Sequence, residues 1–349
     1  MATVRTYRLP GFLAAFILVT GTVGTLGLLH IDESRLKKLD TKAIADGRAG
    51  SAVQAAFDDA VPFREAAVAA VAALRYSLFG EGFAGVLPGA EGWLFSSEEF
   101  ERDLGYLDGA FDETVARARD TLAERGILLV VAVVPSKTRA MKGMLGHIRI
   151  PDAVEARYEA ILDTLDRLAI PAIDLLAALS PGREAGEPFL RADSHWSPEG
   201  ARSAADAVAG VVKALAPDLP SARVRTVAVG ETVRDGDLMS FMPKRGTSTR
   251  TLPPPQTLPA YETTVDSSAG LFGTQVIPAA LVGTSYSAEK AFHFEGFLKQ
   301  ALSADVLNLA AVGKGPFVPM DQALAGTVLA DSGVRVVVWE MPERYVPLD

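Results

Sequence analysis

Residues 127–135, ILLVVAVVP, constrain the fold more than any other stretch of the chain. They form an unbroken run of mainly branched apolar side chains. Parallel strands that are covered on both faces show such runs, whereas a strand with one wet face alternates apolar and polar residues. A chain that contains this strand must supply helices for both faces of its sheet. The stretch therefore predicts an α/β fold.

Helical and extended patterns alternate along much of the chain. Helices are expected at about 110–125, 153–168 and 198–215, and further strands within 89–95, 170–176, 277–287, 304–313 and 333–342. Such alternation predicts a mostly parallel sheet flanked by helices. Residues 217–270 are rich in proline, threonine and arginine, and we expect an irregular insertion there.

The N-terminal segment 11–29 contains no charged residue. As a helix it would be about 28 Å long, close to the roughly 30 Å of a bilayer's hydrocarbon core. Arg5 and Arg8 precede it, and no small-x-small cleavage site follows Leu29, so we expect an uncleaved signal anchor over residues 1–30. The basic residues just after the segment outnumber the two arginines before it, which argues against this orientation.

Apolar residues at helical spacing continue over 31–80, with an interruption at Pro62, and predict a helical stalk over 31–85. The main domain is then expected over 86–349, with the insertion inside it.

Composition removes several classes of function. The chain has 34 Lys and Arg against 43 Asp and Glu, a net charge of −9, so it lacks the basic surface that nucleic-acid binding requires. It contains no cysteine, which excludes disulfides, thiolate metal sites and a cysteine nucleophile. Hydrophobic residues make up 49% of the chain, enough for a sizeable core.

Ser285 lies just past a predicted strand, where open α/β sheets bind their ligands. We expect a helix to begin near Ala288, whose N–H groups could stabilise an oxyanion. From position alone, capping that helix is the more common role for a serine here. Ser287, with Glu289 after it, is the better cap and leaves Ser285 available for chemistry.

Asp193 and His195 are candidates for the acid/base partners of a serine. They lie two residues apart in a segment expected to be extended, where side chains at i and i+2 point the same way. Asp193 could then hold one ring nitrogen of His195 and leave the other to accept a serine proton. Ser197 and Pro198 are suited to begin the helix that follows.

Other interpretations of these residues stay open at this point. Asp193 and His195 could serve a structural role or bind a metal ion, although the sequence offers no obvious third ligand. His293 is a rival base, although packing against Phe292 or Phe294 is the more common role for such a histidine. The Asp-x-His spacing does not choose among these roles.

Five short motifs together resemble those of a known family. They are GWLF, VVPSKTRA, DSHWSPEG, LVGTSYS and WEMPERY, and they resemble the bacterial polysaccharide O-acetyltransferases of the alginate-acetylation type, the AlgJ/AlgX family. The resemblance covers residues 55–349 and implies an SGNH-hydrolase-like α/β fold. It also implies a catalytic triad of Ser285, His195 and Asp193, with the serine last in chain order. Without a clear C-terminal carbohydrate-binding module, the chain looks more like the membrane-anchored member.

The resemblance further implies a function and partners. The expected enzyme moves acetyl groups onto hydroxyls of an alginate-like or cellulose-like exopolysaccharide, through an acetyl-enzyme on Ser285. The expected location is the bacterial inner membrane with the catalytic domain in the periplasm, where a membrane-bound O-acyltransferase supplies the acetyl group. No cofactor or metal ion is expected. The alternatives are a carbohydrate acetyl esterase with the same triad and a non-catalytic subunit of an export complex.

Four more residues are candidates for substrate binding: Tyr286, Trp196, Lys137 and Arg344. Lys137 and Arg344 each follow a predicted strand, where they could contact an anionic polymer or be ordinary surface charges. Trp196 either shapes the site or packs beneath it. The backbone N–H of Ser285 is the expected oxyanion donor, and the sequence assigns no second one.

Overall fold

The computed structural model describes residues 64–180, 186–266 and 276–348. The chain divides into two compact units: residues up to 78 with 244–249, and residues 79–243 with those from 250 onwards. In the described part of the first unit, helix α1 spans Arg64–Phe79. The predicted membrane span and the stalk before residue 64 lie outside the described residues. No described helix is both long and apolar enough to cross a bilayer.

The second unit is an α/β domain. Its strands are β1 (Val86–Pro88), β2 (Leu94–Ser96), β3 (Leu128–Val134), β4 (Ala172–Asp174), β5 (Arg223–Arg234), β6 (Gln256–Asp266), β7 (Ala279–Val282), β8 (Val306–Asn308) and β9 (Val336–Pro342). Its helices are α2 (Phe111–Glu124), α3 (Lys137–Ala140), α4 (Asp152–Arg167), α5 (Pro198–Leu215), α6 (Ser285–Ala288), α7 (Phe294–Leu302), α8 (Phe317–Ala325) and α9 (Val328–Asp331). The predicted elements outside the insertion are confirmed to within a few residues.

Five strands form one parallel sheet in the order β4-β3-β9-β7-β8. Strand β3 explains why the sheet must be covered on both faces. Its alternate residues Val130, Ala132 and Val134 belong to one hydrophobic core. The intervening residues Leu129, Val131 and Val133 belong to the other. The prediction of a mostly parallel sheet with helices on both faces is therefore confirmed.

Helix α5 begins as its sequence predicts. The Ser197 hydroxyl accepts a hydrogen bond from the Gly200 N–H at 3.0 Å, and Pro198 occupies the first helical position. The hydroxyl satisfies one of the N–H groups that a helix leaves unpaired at its start, and proline has no N–H that would need a partner there. The helix therefore starts directly after the segment that carries Asp193 and His195.

The prediction of an irregular insertion over 217–270 is wrong for residues 223–234 and 256–266, which form strands β5 and β6, whereas residues 242–255 between them contain no helix or strand. Strands β5 and β6 pair antiparallel along their whole lengths, from Arg223 opposite Asp266 to Arg234 opposite Gln256, with one irregularity between Ala228 and Gly230. Threonine and valine are favoured in strands, and their abundance here outweighs the prolines near the turn. One end of this two-stranded ribbon approaches the candidate site, because the Gln256 side chain accepts a hydrogen bond from the Arg191 N–H at 2.6 Å.

Candidate active site

Ser285 opens the short helix α6, immediately beyond the carboxyl end of β7. Thr284 is the N-cap, since its hydroxyl accepts from the Tyr286 N–H at 3.3 Å. The expectation that Ser287 caps a helix beginning near Ala288 is therefore wrong. The helical turn begins three residues earlier, and Ser287 Oγ instead donates to a carboxylate of the neighbouring strand.

That carboxylate belongs to Glu340, which is fully buried in β9. Glu340 Oε2 accepts from the Thr284 N–H at 2.7 Å and from the Ser287 hydroxyl at 3.0 Å, and Oε1 accepts from the Thr284 hydroxyl at 3.0 Å. Burial raises the pKa of Glu340, and these donors oppose the rise. A Cβ at Gly283 would lie 2.4 Å from Glu340 Oε2, so glycine is needed for this close approach. Glu340 thus fixes the serine turn to the sheet.

His195 connects Ser285 to Asp193. Its Nε2 lies 2.7 Å from Ser285 Oγ, and its Nδ1 lies 2.7 Å from Asp193 Oδ1. The imidazole is buried and stacks on the Phe292 ring, with 5.0 Å between ring centres. The structure therefore brings the three predicted catalytic side chains together in series, within hydrogen-bonding distance.

The physical reason for the Asp193 and His195 geometry differs from the predicted one. The segment is a series of turns and bends rather than an extended strand. Asp193 Oδ1 accepts from the His195 backbone N–H at 3.1 Å, as aspartates do in tight turns. The same oxygen then meets the imidazole.

Asp193 is fully buried, and its outer oxygen Oδ2 is also occupied. It accepts from Arg234 Nε and from the Asp237 N–H, the latter at 3.2 Å. Burial alone would raise the pKa of Asp193. The hydrogen bond and charge of His195, together with those of Arg234, nevertheless hold this pKa well below its ordinary value. Asp193 is therefore a fixed anion and not a proton acceptor at neutral pH.

Lys137 also binds the loop that carries Asp193 and His195. Its side chain is fully buried, and its ammonium group donates to the carbonyl oxygens of Leu94 at 2.6 Å, Arg191 at 3.0 Å and Asp193 at 2.9 Å. Burial lowers the pKa of Lys137, and the charges of nearby carboxylates oppose the change. The prediction that Lys137 contacts an anionic polymer does not hold in this structure, because all three of its acceptors are backbone atoms of the protein.

Arg344 is also buried and is not a surface charge. Its guanidinium lies 5.6 Å from the centre of the Tyr286 ring and its Nε lies 3.7 Å from Glu98 Oε2. The prediction that Arg344 binds the polymer is thus replaced by an internal role, in which its charge is balanced by neighbours within the protein.

Tyr286 and Trp196 lock the two halves of the site together. The Tyr286 hydroxyl donates to the Ser194 carbonyl at 2.6 Å, and Trp196 Nε1 donates to the Tyr286 carbonyl at 3.2 Å. Both side chains are almost completely buried. Their prediction as substrate-binding residues is therefore corrected to packing beneath the site, the alternative already considered for Trp196.

His293, the rival base, faces the ribbon. Its Nε2 lies 2.7 Å from Thr263 Oγ1, and burial lowers its pKa. Its backbone has φ +57°, an uncommon conformation for a residue other than glycine. Its hydrogen bond to Thr263 ties the ribbon to the start of α7 and does not involve Ser285.

Sequence reasoning missed three residues of the site: Glu340, Arg234 and Asp237. The sequence does point to Glu340, because burying a lone carboxylate inside the apolar run VVVWEMP is energetically unfavourable unless polar partners bind it. Arg234 and Asp237 lie about 40 residues from Asp193 in the sequence and carry no local signal. Asp237 also completes a cluster with Asp193 and His195 whose ligand-type atoms lie within 4.8 Å of one another. Hydrogen bonds within the protein already engage these atoms.

Residues 86–343 match the family described as "ALGX: SGNH hydrolase-like domain, acetyltransferase AlgX". The chain is 35% identical over 320 residues to the "Probable alginate O-acetylase AlgJ" of Azotobacter vinelandii, covering 88% of this chain and 82% of the relative. It is 36% identical over 318 residues to the protein of the same name from Pseudomonas aeruginosa, covering 87% and 81%.

Two solved structures are also similar. The O-acetyltransferase domain of Pseudomonas putida AlgJ superposes with a TM-score of 0.68 at 35% identity, covering 76% of this chain and 93% of that domain. Pseudomonas aeruginosa AlgX superposes with a TM-score of 0.60 at 25% identity, covering 78% and 66%. Sequence and fold comparisons thus agree on the same group of proteins.

Proposed function

This chain belongs to the family of SGNH hydrolase-like acetyltransferases described by the AlgX domain, and from that premise we propose that it is a serine-dependent polysaccharide O-acetyltransferase. The observation that carries the proposal is the series Ser285, His195 and Asp193, joined by two contacts of 2.7 Å. Such a series activates a serine hydroxyl for attack on an acyl group.

In the first half-reaction, Ser285 Oγ attacks the acetyl carbonyl of a donor while His195 Nε2 accepts the hydroxyl proton. The imidazolium then returns this proton to the leaving group, and the acetyl group remains on Ser285 as an ester. In the second half-reaction, a sugar hydroxyl gives its proton to His195 and attacks the ester carbonyl. The proton passes to Ser285 Oγ, which leaves as the free hydroxyl, and the acetylated sugar departs.

The backbone around Ser285 supports a role for its own N–H as an oxyanion donor. The flanking N–H groups of Thr284 and Tyr286 are bonded to Glu340 Oε2 and to Thr284 Oγ1. The Ser285 N–H lies between them on the turn that presents the nucleophile. Preorganised N–H donors of this kind stabilise the tetrahedral intermediates of acyl transfer.

We place the acceptor among alginate-like exopolysaccharides, because two relatives at 35–36% identity are named alginate O-acetylases. We further propose that residues 11–29 anchor the chain in the inner membrane, with the domain in the periplasm. A membrane-bound O-acyltransferase would supply the acetyl group there. The uncharged 11–29 segment and the resemblance of the five motifs support this arrangement.

The test uses the purified full chain, a chromogenic acetyl ester as donor and oligomannuronate as acceptor. We expect acetylated oligosaccharide by mass spectrometry with the wild type and none with Ser285→Ala. Release of acetate without transfer would favour the esterase alternative. In cells, continued acetylation of the polymer by a Ser285→Ala strain would favour the non-catalytic alternative.

A further inference from the structure

The segment that follows strand β5 and connects it to β6 interlocks with the loop that carries the Asp193 and His195 pair. The Leu238 N–H donates to the Ala192 carbonyl at 3.2 Å, and the Ser194 N–H donates to Asp237 Oδ1 at 2.7 Å. Gly236 makes this approach possible, because it has φ +95° and a Cβ there would lie 2.1 Å from the Ala192 carbonyl oxygen. The insertion is therefore part of the catalytic loop's support.

These contacts place acidic and basic side chains next to the imidazole of His195. Asp193 faces His195 Nδ1 at 2.7 Å, and Arg234 binds the other oxygen of Asp193. Asp237 Oδ2 lies 3.5 Å from the same Nδ1, and Glu289 Oε2 lies 3.0 Å from Arg234 NH1. Arg234 is one-quarter exposed and Asp237 about one-third exposed, whereas Asp193 is buried. Arg234 thus offsets part of the negative charge of Asp193, although its guanidinium is shared with Glu289.

An Asp193 carboxylate whose charge is partly offset by Arg234 stabilises less strongly the imidazolium that forms during acyl transfer. Asp237 restores a negative charge at Nδ1 without a bond to Arg234. We propose that Arg234 and Asp237 form a positioning pair that sets the charge around His195, with Asp237 stabilising its imidazolium and Arg234 limiting that stabilisation. The effect on the acyl-transfer rate rests on the proposed function. The effect of the two residues on the charge of His195 is independent of that function.

Other polar groups near His195 leave this assignment intact. The polar or charged groups that face it or its partners are Ser194, Ser285, Tyr286, Glu289 and Lys137. The hydroxyls are uncharged at neutral pH, and Lys137 contacts the Asp193 backbone rather than its carboxylate. Phe292, stacked on the imidazole, is apolar and lies 4.8 Å from the Arg234 guanidinium. Arg234 and Asp237 are therefore the charged side chains by which the ribbon and its turn act on His195 and Asp193.

The two members of the pair predict opposite effects. In Asp237→Asn the amide can still accept from Ser194 N–H but no longer offsets the imidazolium charge, so His195 should lose its proton at lower pH. In Arg234→Gln the acidic groups are no longer offset, so His195 should hold its proton to higher pH. Asp237 Oδ2 lies 3.5 Å from His195 Nδ1 and Arg234 binds Asp193, so the two substitutions should move the titration midpoint in opposite directions.

The experiment follows the histidine ring signals of the full chain by NMR across pH, with the His195 signal assigned by its loss in His195→Gln. We expect the midpoint to fall in Asp237→Asn, to rise in Arg234→Gln, and to return close to the wild-type value in the double variant and in Arg234→Lys. Arg225→Gln and Glu231→Gln, exposed charge changes on the same strand, should leave the midpoint unchanged.

A second readout is the acid limb of the rate against pH for hydrolysis of a chromogenic acetyl ester. It should move in the same directions, whereas a merely structural role would lower the rate without opposite shifts. The inference would be overturned if the His195 titration midpoints of the two single variants equalled that of the wild type, or if both moved in the same direction. Absence of any Ser285-dependent turnover would instead refute the proposed function, and the NMR titration would still decide the charge balance.

Discussion

The two halves of the candidate site are positioned in different ways. The Ser285 turn follows β7 directly, and the buried Glu340 of the adjacent strand holds it. The loop with Asp193 and His195 lies between β4 and α5, away from the sheet ladder. Side chains from remote segments, including Lys137, hold that loop. The sheet therefore places the proposed nucleophile, while tertiary contacts place the proposed base.

Substitutions in the two halves of the site should therefore have different kinds of effect. Changes beneath the serine turn should act through the stability of the carboxyl ends of β7 and β9. Changes around the base should be felt through the orientation and charge of one imidazole. Variants in each half can therefore test whether the two halves contribute separately.

The largest effect is expected at the nucleophile. Ser285→Ala should lower kcat/KM for a chromogenic acetyl ester by at least about 1,000-fold, since it removes the hydroxyl on which the proposed acyl-enzyme forms. Ser287→Ala, two residues away, removes only one bond to Glu340 and should change kcat/KM by about tenfold or less. Equal losses in the two variants would show that the turn, and not the hydroxyl at 285, matters.

Removal of the Glu340 carboxylate should destabilise the serine turn. Glu340→Ala leaves the Thr284 N–H and the Ser287 hydroxyl without their buried acceptor, so the free energy of unfolding should fall by about 2–4 kcal/mol. Glu340→Gln keeps one acceptor oxygen and should cost less. Urea denaturation measures both, and a loss below about 0.5 kcal/mol in the alanine variant would contradict this role.

The same residue predicts a pH dependence. Burial raises the folded-state pKa of Glu340, so its contribution to stability is present below the unfolded value and is lost as pH rises through the folded pKa. The stability difference between wild type and Glu340→Gln should therefore shrink as pH rises above the ordinary range of a carboxyl group. Urea titrations at a series of pH values measure this, and a difference that grows with pH would contradict the direction.

In the half of the site that contains the base, Lys137→Met should weaken the attachment of the loop with Asp193 and His195 to the rest of the domain. Methionine fills a similar volume but leaves the carbonyls of Leu94, Arg191 and Asp193 without the ammonium. We expect a loss of about 2–3 kcal/mol in the free energy of unfolding, together with a lower kcat. Lys142→Met removes an exposed lysine and should cost less than about 0.5 kcal/mol.

An effect of similar size on stability is expected where the ribbon meets that loop. Gly236→Ala adds a Cβ that meets the Ala192 carbonyl, and should lower the free energy of unfolding by about 2–3 kcal/mol. Gly109→Ala is a matched control, because Gly109 has φ +94° but no atom near the added Cβ, so its cost should be about 1 kcal/mol. Similar losses in both would mean that backbone conformation, and not the close approach of the loops, sets the cost.

The smallest effect is expected at His293. Because its ring bonds Thr263 and not Ser285, His293→Gln should change kcat by about threefold or less, whereas His195→Gln should reduce it by at least about 1,000-fold. Initial rates with the chromogenic ester measure both. A comparable loss in the two variants would return His293 to consideration as the base.

Patterns confined to one element predicted the sheet and made Ser285 a candidate, and the family resemblance then assigned it as the nucleophile. The run at 127–135 reports burial on both faces, and Ser285 is found by its place after a strand. The base half was found from the Asp-x-His spacing and the family resemblance, although the local geometry is a turn stabilised by Asp193 and not an extended segment.

The rest depends on contacts that no local pattern encodes. Lysine and arginine are seldom fully buried, so sequence reasoning placed Lys137 and Arg344 at the surface. Their burial depends on carbonyl and aromatic partners from other segments. Arg234 and Asp237 reach Asp193 only because a ribbon forms where prolines and threonines predicted an irregular insertion.

The role of Ser285 can be tested by mapping where an acetyl group resides after brief reaction with an activated acetyl ester and an acid quench. We expect one acetyl group per chain, located on the peptide that contains Ser285, much slower to form in His195→Gln and absent in Ser285→Ala. Acetylation at the same rate in His195→Gln, or an acetyl group on another residue that persists in Ser285→Ala, would contradict this role.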